Sequence, residues 1–265
     1  PARPVDTLAE RLAARAGDRT AAVLVSAVLY EDARIVPGLG GLAEACARRG
    51  VELLVDAYHA LGAMPFQLPA MGLGSAWIVG GGYKYLQLGE GNCFLRLPPH
   101  ARALRPAITG WYAEFDALAD AARPGLVAYG RGAAAFAGST YDPASHYRAA
   151  RVMDFFGEHG LTPEALRASY RRQLELLATR VDALGLDEKV LTRDRGTSLD
   201  RLGAFLALDS PHAAALQRAL AARGVLADSR GRHLRLGPAP YLDDAQLEAA
   251  VERLGEAARS LEASP

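Results

Sequence analysis

The chain has 265 residues, half of them hydrophobic, with 30 basic and 30 acidic side chains and a formal net charge of zero. This excludes a disordered polymer, which needs low hydrophobicity and high net charge. It also removes the global basic excess on which binding to a nucleic-acid backbone depends. The length allows one large domain or two smaller ones.

Residues 7–16 read as an amphipathic helix, with Leu8, Leu12 and Ala16 on one face. The run Ala21-Ala22-Val23-Leu24-Val25-Ser26 is apolar throughout and of strand length. Pro37-Gly38 breaks the chain, and residues 39–49 are helical with a stop at Gly50. Residues 51–56 and 76–80 are further buried strands, and residues 91–97 a fourth, ended by Pro98-Pro99. Apolar strands alternating with helices indicate an α/β layer with a mainly parallel sheet. The last two strands are joined by a short loop, which allows an antiparallel pair.

The second half changes character. Residues 144–158, 162–184, 211–223 and 243–261 read as helices. Residues 202–208 read as a strand, and Val225-Leu226 pairs with residues 233–236 around Ser229-Arg230-Gly231. The expected organisation is a large α/β domain over residues 1–160 and a small α+β domain over 161–265. No stretch reaches the ~18 apolar residues of a membrane helix. The N-terminal Pro1-Ala2-Arg3-Pro4 leads into a charged amphipathic stretch, not a signal-peptide core. Two cysteines, Cys46 and Cys93, make no disulfide framework and fit a reducing, cytoplasmic setting.

Of the 30 basic residues only two, Lys84 and Lys189, are lysines. A lysine that persists in so arginine-biased a chain is a candidate for chemistry arginine cannot perform, because an amine can lose its proton and form a Schiff base. Polar residues gather just past the strand ends, where open α/β sheets place ligands: Ser26, Asp56, His59, Tyr83 and Lys84. The first cluster is Asp56-Ala57-Tyr58-His59. An aspartate after a strand most often caps a turn, but here the next strand also ends in chemistry. The second cluster runs Gly80-Gly81-Gly82-Tyr83-Lys84-Tyr85-Leu86, whose glycines allow a backbone to approach a ligand closely.

Together, Asp56-x-x-His59 and Gly82-Tyr83-Lys84-Tyr85-Leu86 resemble the fold-type I enzymes that use pyridoxal 5′-phosphate (PLP). The class V aminotransferase group is the nearest, and within it kynureninase. The resemblance implies a PLP-transferase-like three-layer α/β/α large domain. It implies that Lys84 forms the Schiff base, that Asp56 pairs with the pyridinium nitrogen, and that His59 sits near the ring. Tyr83 would bond the cofactor phosphate and assist proton transfer. Gly110-Trp111 resembles a family motif whose tryptophan reaches the phosphate, in some members from the partner subunit of a homodimer. Ser139 and Thr140 fall where the family contacts phosphate or substrate, and Arg235 matches the arginine that clamps the substrate α-carboxylate, a task suited to bidentate geometry.

By this resemblance the chain acts on a small-molecule amino acid, with neither a nucleic-acid nor a membrane partner. The implied reaction is kynureninase-like hydrolytic Cβ–Cγ cleavage; the alternatives are class V transamination and a non-catalytic subunit or fragment. Desulfuration is disfavoured, since Cys93 falls in a strand and Cys46 in a helix, whereas that reaction needs a mobile thiol. The family is longer at its N-terminus, so the chain is expected to supply only strands 4 to 7 of the family sheet. Both edges would then be open unless a longer product or another chain completes it.

Overall fold

The computed structural model describes residues 3–120, 124, 125 and 127–262. A short 3-10 turn, Val5–Thr7, leads into α1 (Leu8–Arg15). The first sheet then follows: β1 (Ala22–Ser26), α2 (Leu39–Arg48), β2 (Glu52–Asp56), β3 (Trp77–Gly81) and β4 (Cys93–Arg96). Its order is β1-β2-β3-β4, with the first three strands parallel and β4 antiparallel to β3. The expected mixed, mainly parallel sheet is therefore present, and the short β3–β4 connection does reverse the chain.

Strand alternation decides which residues are covered. Val23, Val25, Leu53, Val55 and Ile78 form one face and pack into a core with Leu8, Leu39, Leu42 and Cys46 of α1 and α2. The opposite face carries Leu24, 69% exposed. Trp77 on that side meets Phe136 edge-on, with ring centroids 5.6 Å apart. The segment after β4 forms three 3-10 turns, Pro99–Ala103, Trp111–Ala117 and Gly132–Phe136.

Two capped helices follow. In α3 (Pro143–Glu158) the Asp142 carboxylate accepts from Ala144 N–H, and in α4 (Pro163–Ala183) the Thr162 hydroxyl accepts from Ala165 N–H. Both place proline at the first turn, where no N–H is needed. The remaining elements are β5 (Thr192–Arg193), a 3-10 turn (Leu199–Arg201), β6 (Leu206–Asp209), α5 (Ala213–Ala221), β7 (Asp228–Arg230), β8 (His233–Leu236) and α6 (Asp244–Glu262). They build a second, fully antiparallel sheet in the order β5-β6-β8-β7. Leu206, Leu208, Leu234 and Leu236 point into a core with Leu174, Leu216, Leu220 and Leu254 of the helices. The alternate residues, Ala207, Asp228, Arg230, His233 and Arg235, share the other face.

Two expectations need correction. The strand anticipated at residues 202–208 begins only at Leu206, because Gly203 N–H is already spent on the Ala33 carbonyl. Val225-Leu226 is not a strand: Leu226 is 92% exposed, and the ladder instead pairs Ser229 with Leu234 and Arg230 with His233, leaving Gly231-Arg232 as the turn. Strand β5, two residues long, gave no periodic signal.

The two sheets are tied together by the segment after β1. Arg34 forms a β-bridge with Leu202, and Ile35 N–H donates to Arg201 O at 2.9 Å. Leu166 and Tyr170 of α4 pack with Ala63 and Ala204, joining both halves through a third small core. No helix among the described residues is long and apolar enough to cross a membrane. Leu208 is fully buried, so Leu208→Ala is expected to lower unfolding free energy by about 2–5 kcal/mol. Leu24→Ala is expected to change it by only about 0.5 kcal/mol; denaturant melts measure both.

Candidate active site

Strand β2 ends on Asp56, in register with Ser26 of β1. The Ser26 hydroxyl donates to one carboxylate oxygen and Tyr58 N–H to the other, each at 2.9 Å. The carboxylate is thus oriented before any ligand is present. A tight turn follows, with Ala60 N–H and Leu61 N–H both donating to Ala57 O. It projects His59 towards the loop after β3.

That loop comes close because of Gly62. Its φ is +77°, and a Cβ there would lie 2.7 Å from the Tyr85 carbonyl atoms and 2.9 Å from Leu86 N. The loop is closed by Gly82 N–H to Asn92 O at 2.7 Å and Leu88 N–H to Gly82 O at 2.8 Å. The result is that Lys84 Nζ lies 3.0 Å from His59 Nε2. The glycine run has a different role from the one expected. Cβ atoms at Gly80, Gly81 and Gly82 would collide with Leu61 and Phe94, with Tyr58 and Tyr83, and with Leu88. The space beside these glycines is taken up by the protein's own side chains.

Arg235 approaches from the second sheet. Its guanidinium donates to the Asp228 carboxylate and to the Tyr30 carbonyl, and lies 5.2 Å from the centre of the Phe205 ring. Asp56, His59, Tyr83, Lys84 and Arg235 line one cavity of about 310 Å³, together with Tyr30, Tyr58 and Arg230. Sequence reasoning missed the last three. Tyr58 lies inside the Asp56-x-x-His59 motif and was legible there; its ring packs 5.7 Å from that of Tyr83. Arg230 was assigned to a turn, whereas the ladder places it in β7 on the same face as Arg235.

Trp111, Ser139 and Thr140 do not line this cavity. Trp111 is 54% exposed and packs on Tyr112 and Phe115. The Ser139 hydroxyl donates to Thr140 O. The two motifs do touch each other: a Cβ on Gly110 would fall 1.7 Å from Gly138 O.

The electrostatics disfavour the charged forms of both bases. Burial lowers the Lys84 pKa, with Arg235 and Arg230 adding to the effect and Asp56 opposing it. Burial, and then Lys84, push His59 down from 6.5 to about 4. The imidazole is therefore neutral at pH 7 and can accept from the lysine. Burial likewise raises Tyr85.

Comparisons with known proteins place the fold. No family model and no curated protein matches the chain. Among solved structures, it is similar to an apo cysteine desulfurase from Thermococcus onnurineus NA1, with 14% identity, a TM-score of 0.77, and 96% of this chain and 63% of that one covered. It is similar to a cysteine desulfurase from Escherichia coli, with 14% identity, a TM-score of 0.74, and 97% and 63% covered. It also resembles a serine palmitoyltransferase from S. paucimobilis with a bound PLP–myriocin aldimine, with 20% identity, a TM-score of 0.58, and 97% and 58% covered. The chain spans less than two thirds of the length of these proteins. The likeness shows a PLP-transferase fold, the class expected from the sequence.

A pH test follows from His59. Its folded pKa of about 4 lies below its ordinary 6.5, so the unfolded chain binds the proton more readily between these values. Stability is complete above pH 6.5 and falls as pH drops through 4, by about 2 kcal/mol once partial exposure is allowed for. His59→Gln is expected to flatten that fall in melts. By NMR, Lys84→Met is expected to raise the His59 pKa.

Proposed function

We propose that this chain is a PLP-dependent enzyme acting on an amino acid, with Lys84 as the residue that carries the cofactor. The observation behind the reading is the meeting, in one cavity, of a half-buried lysine of lowered pKa, an oriented strand-end carboxylate and an arginine. The donor set fits the group. Lys84 offers an amine to an aldehyde, Asp56 an acceptor to a pyridinium N–H, and Tyr83 a phenol to a phosphate oxygen. When bound, PLP supplies an electron sink for charge left at the substrate α-carbon.

The chain's own residues supply the rest. Lys84 would hold the cofactor through its amine, and the same amine is placed to move a proton at the substrate α-carbon. Its lowered pKa keeps a larger neutral fraction available near pH 7. His59 holds the lysine amine by accepting at Nε2. Asp56 cannot rotate without losing Ser26 and Tyr58. Arg235 takes the α-carboxylate. Trp111, Ser139 and Thr140 lie outside the cavity of their own chain, and we assign them to a homodimer in which each copy presents them to the other.

Within this class we favour kynureninase-like hydrolytic cleavage on the motif resemblance, with class V transamination as the alternative. The desulfurase neighbours favour a second reading, removal of sulfur from cysteine. Against it, Cys46 is buried in α2 and Cys93 lies in the β4 ladder opposite Gly81. Neither thiol is on a loop, although the Cys93 thiol is exposed.

The test is a visible spectrum of the protein with added PLP. The wild type is expected to gain a band that borohydride removes while adding the reduced cofactor's mass at residue 84; Lys84→Ala is expected to do neither. No band in folded wild type would overturn the reading and leave a non-catalytic subunit. With a band in hand, aromatic amine released from kynurenine, keto acid from amino-donor pairs and sulfide from cysteine separate the three reactions.

A further inference from the structure

Strands β7 and β8 place Asp228 directly opposite Arg235. The Asp228 carboxylate is divided between two guanidiniums. One oxygen accepts from Arg235 Nη2, and the other from Arg230 Nη1 at 2.8 Å. The second oxygen also takes Ser229 N–H at 2.8 Å, which fixes the plane of the carboxylate. Arg235 Nη1 is held by the Tyr30 carbonyl, and Phe205 lies against the guanidinium. The Arg235 side chain is 13% exposed. A long, flexible side chain is thus held by a carboxylate, a carbonyl and a ring before any ligand enters.

Two of its five N–H donors are taken by these contacts, leaving three for a ligand. The local charge matters as much as the geometry. A carboxylate paired with one guanidinium alone would cancel the charge that must attract a substrate carboxylate. Here Arg230 lines the same cavity and shares the Asp228 carboxylate. The group Arg235–Asp228–Arg230 keeps one net positive charge while Arg235 is oriented.

We propose that Asp228 is the positioning residue of an anion clamp, fixing Arg235 to receive a substrate α-carboxylate; this rests on the amino-acid reading above. The competing role is that Asp228 merely joins β7 to β8. A purely structural role would weaken every ligand alike, whereas a positioning role acts only on ligands that carry a carboxylate.

The experiment compares L-alanine with ethylamine on the PLP-loaded protein, each titrated by its effect on the visible band. The readout is the ratio of the two dissociation constants. Wild type is expected to prefer alanine. Asp228→Ala is expected to lower the ratio by about tenfold or more, the scale of one lost hydrogen bond between charged groups. Asp228→Asn keeps the shape and one acceptor, safeguards folding, and is expected to fall between; Asp228→Glu should recover part of the preference. An unchanged ratio in a folded variant, equal weakening of both probes, or a wild type without preference overturns the proposal.

A second arm separates this from failure of the PLP reading. Propionate is titrated into the cofactor-free protein while the Arg235 Nε–H is followed by NMR. A shift in wild type that Asp228→Ala abolishes supports the clamp without any cofactor. No wild-type shift, or one that survives the substitution, overturns it.

Discussion

Two backbone segments run so close at Gly62 that a methyl group would overlap the Tyr85–Leu86 peptide. The meeting of His59 and Lys84 depends on that approach. One segment is the turn after β2, which carries Asp56 and His59; the other is the loop after β3, which carries Lys84. Pressed together, they place an amine 3.0 Å from an imidazole in a half-buried pocket. Burial then disfavours charge on both, so the imidazole stays neutral and can accept from the amine. The sheet below supplies rigidity, since β2 and β3 are paired in register up to Asp56 and Val79.

The second sheet contributes through its polar face. Alternation in His233-Leu234-Arg235-Leu236 commits the leucines to the core and turns the charged residues towards the first sheet. Arg235 therefore reaches the cavity because Leu234 and Leu236 are buried, and Asp228 reaches Arg235 because β7 and β8 pair in one particular register. Packing and site geometry are here consequences of the same two-residue period.

What could be read from the sequence followed the strength of local signals. Continuous apolar runs located β1, β2 and β3 to within a residue, and the scarcity of lysine drew attention to Lys84. The small sheet was harder. Its strands run two to four residues, too few for a period to repeat, so the β7 register was misplaced and Arg230 and Asp228 were overlooked. The glycine run was found but misread, because a sequence cannot say whether the space beside a glycine holds a ligand or a neighbouring leucine. Trp111, Ser139 and Thr140 were chosen by motif, and their distance from Lys84 within one chain depends on tertiary placement alone.

Arg235 grips the Tyr30 carbonyl with one hand and Asp228 with another, so it spans from the second sheet to the loop after β1. An anion that redistributes those contacts must also alter the free energy of moving one sheet relative to the other. Linkage makes the relation reciprocal. If Arg235 holds an anion as proposed and the anion alters that junction, the junction between residues 28–36 and 201–203 alters anion affinity in return. On the proposed clamp, the arginine is a tie between the two sheets as well as an anion contact, and the Arg34–Leu202 bridge belongs to the same junction.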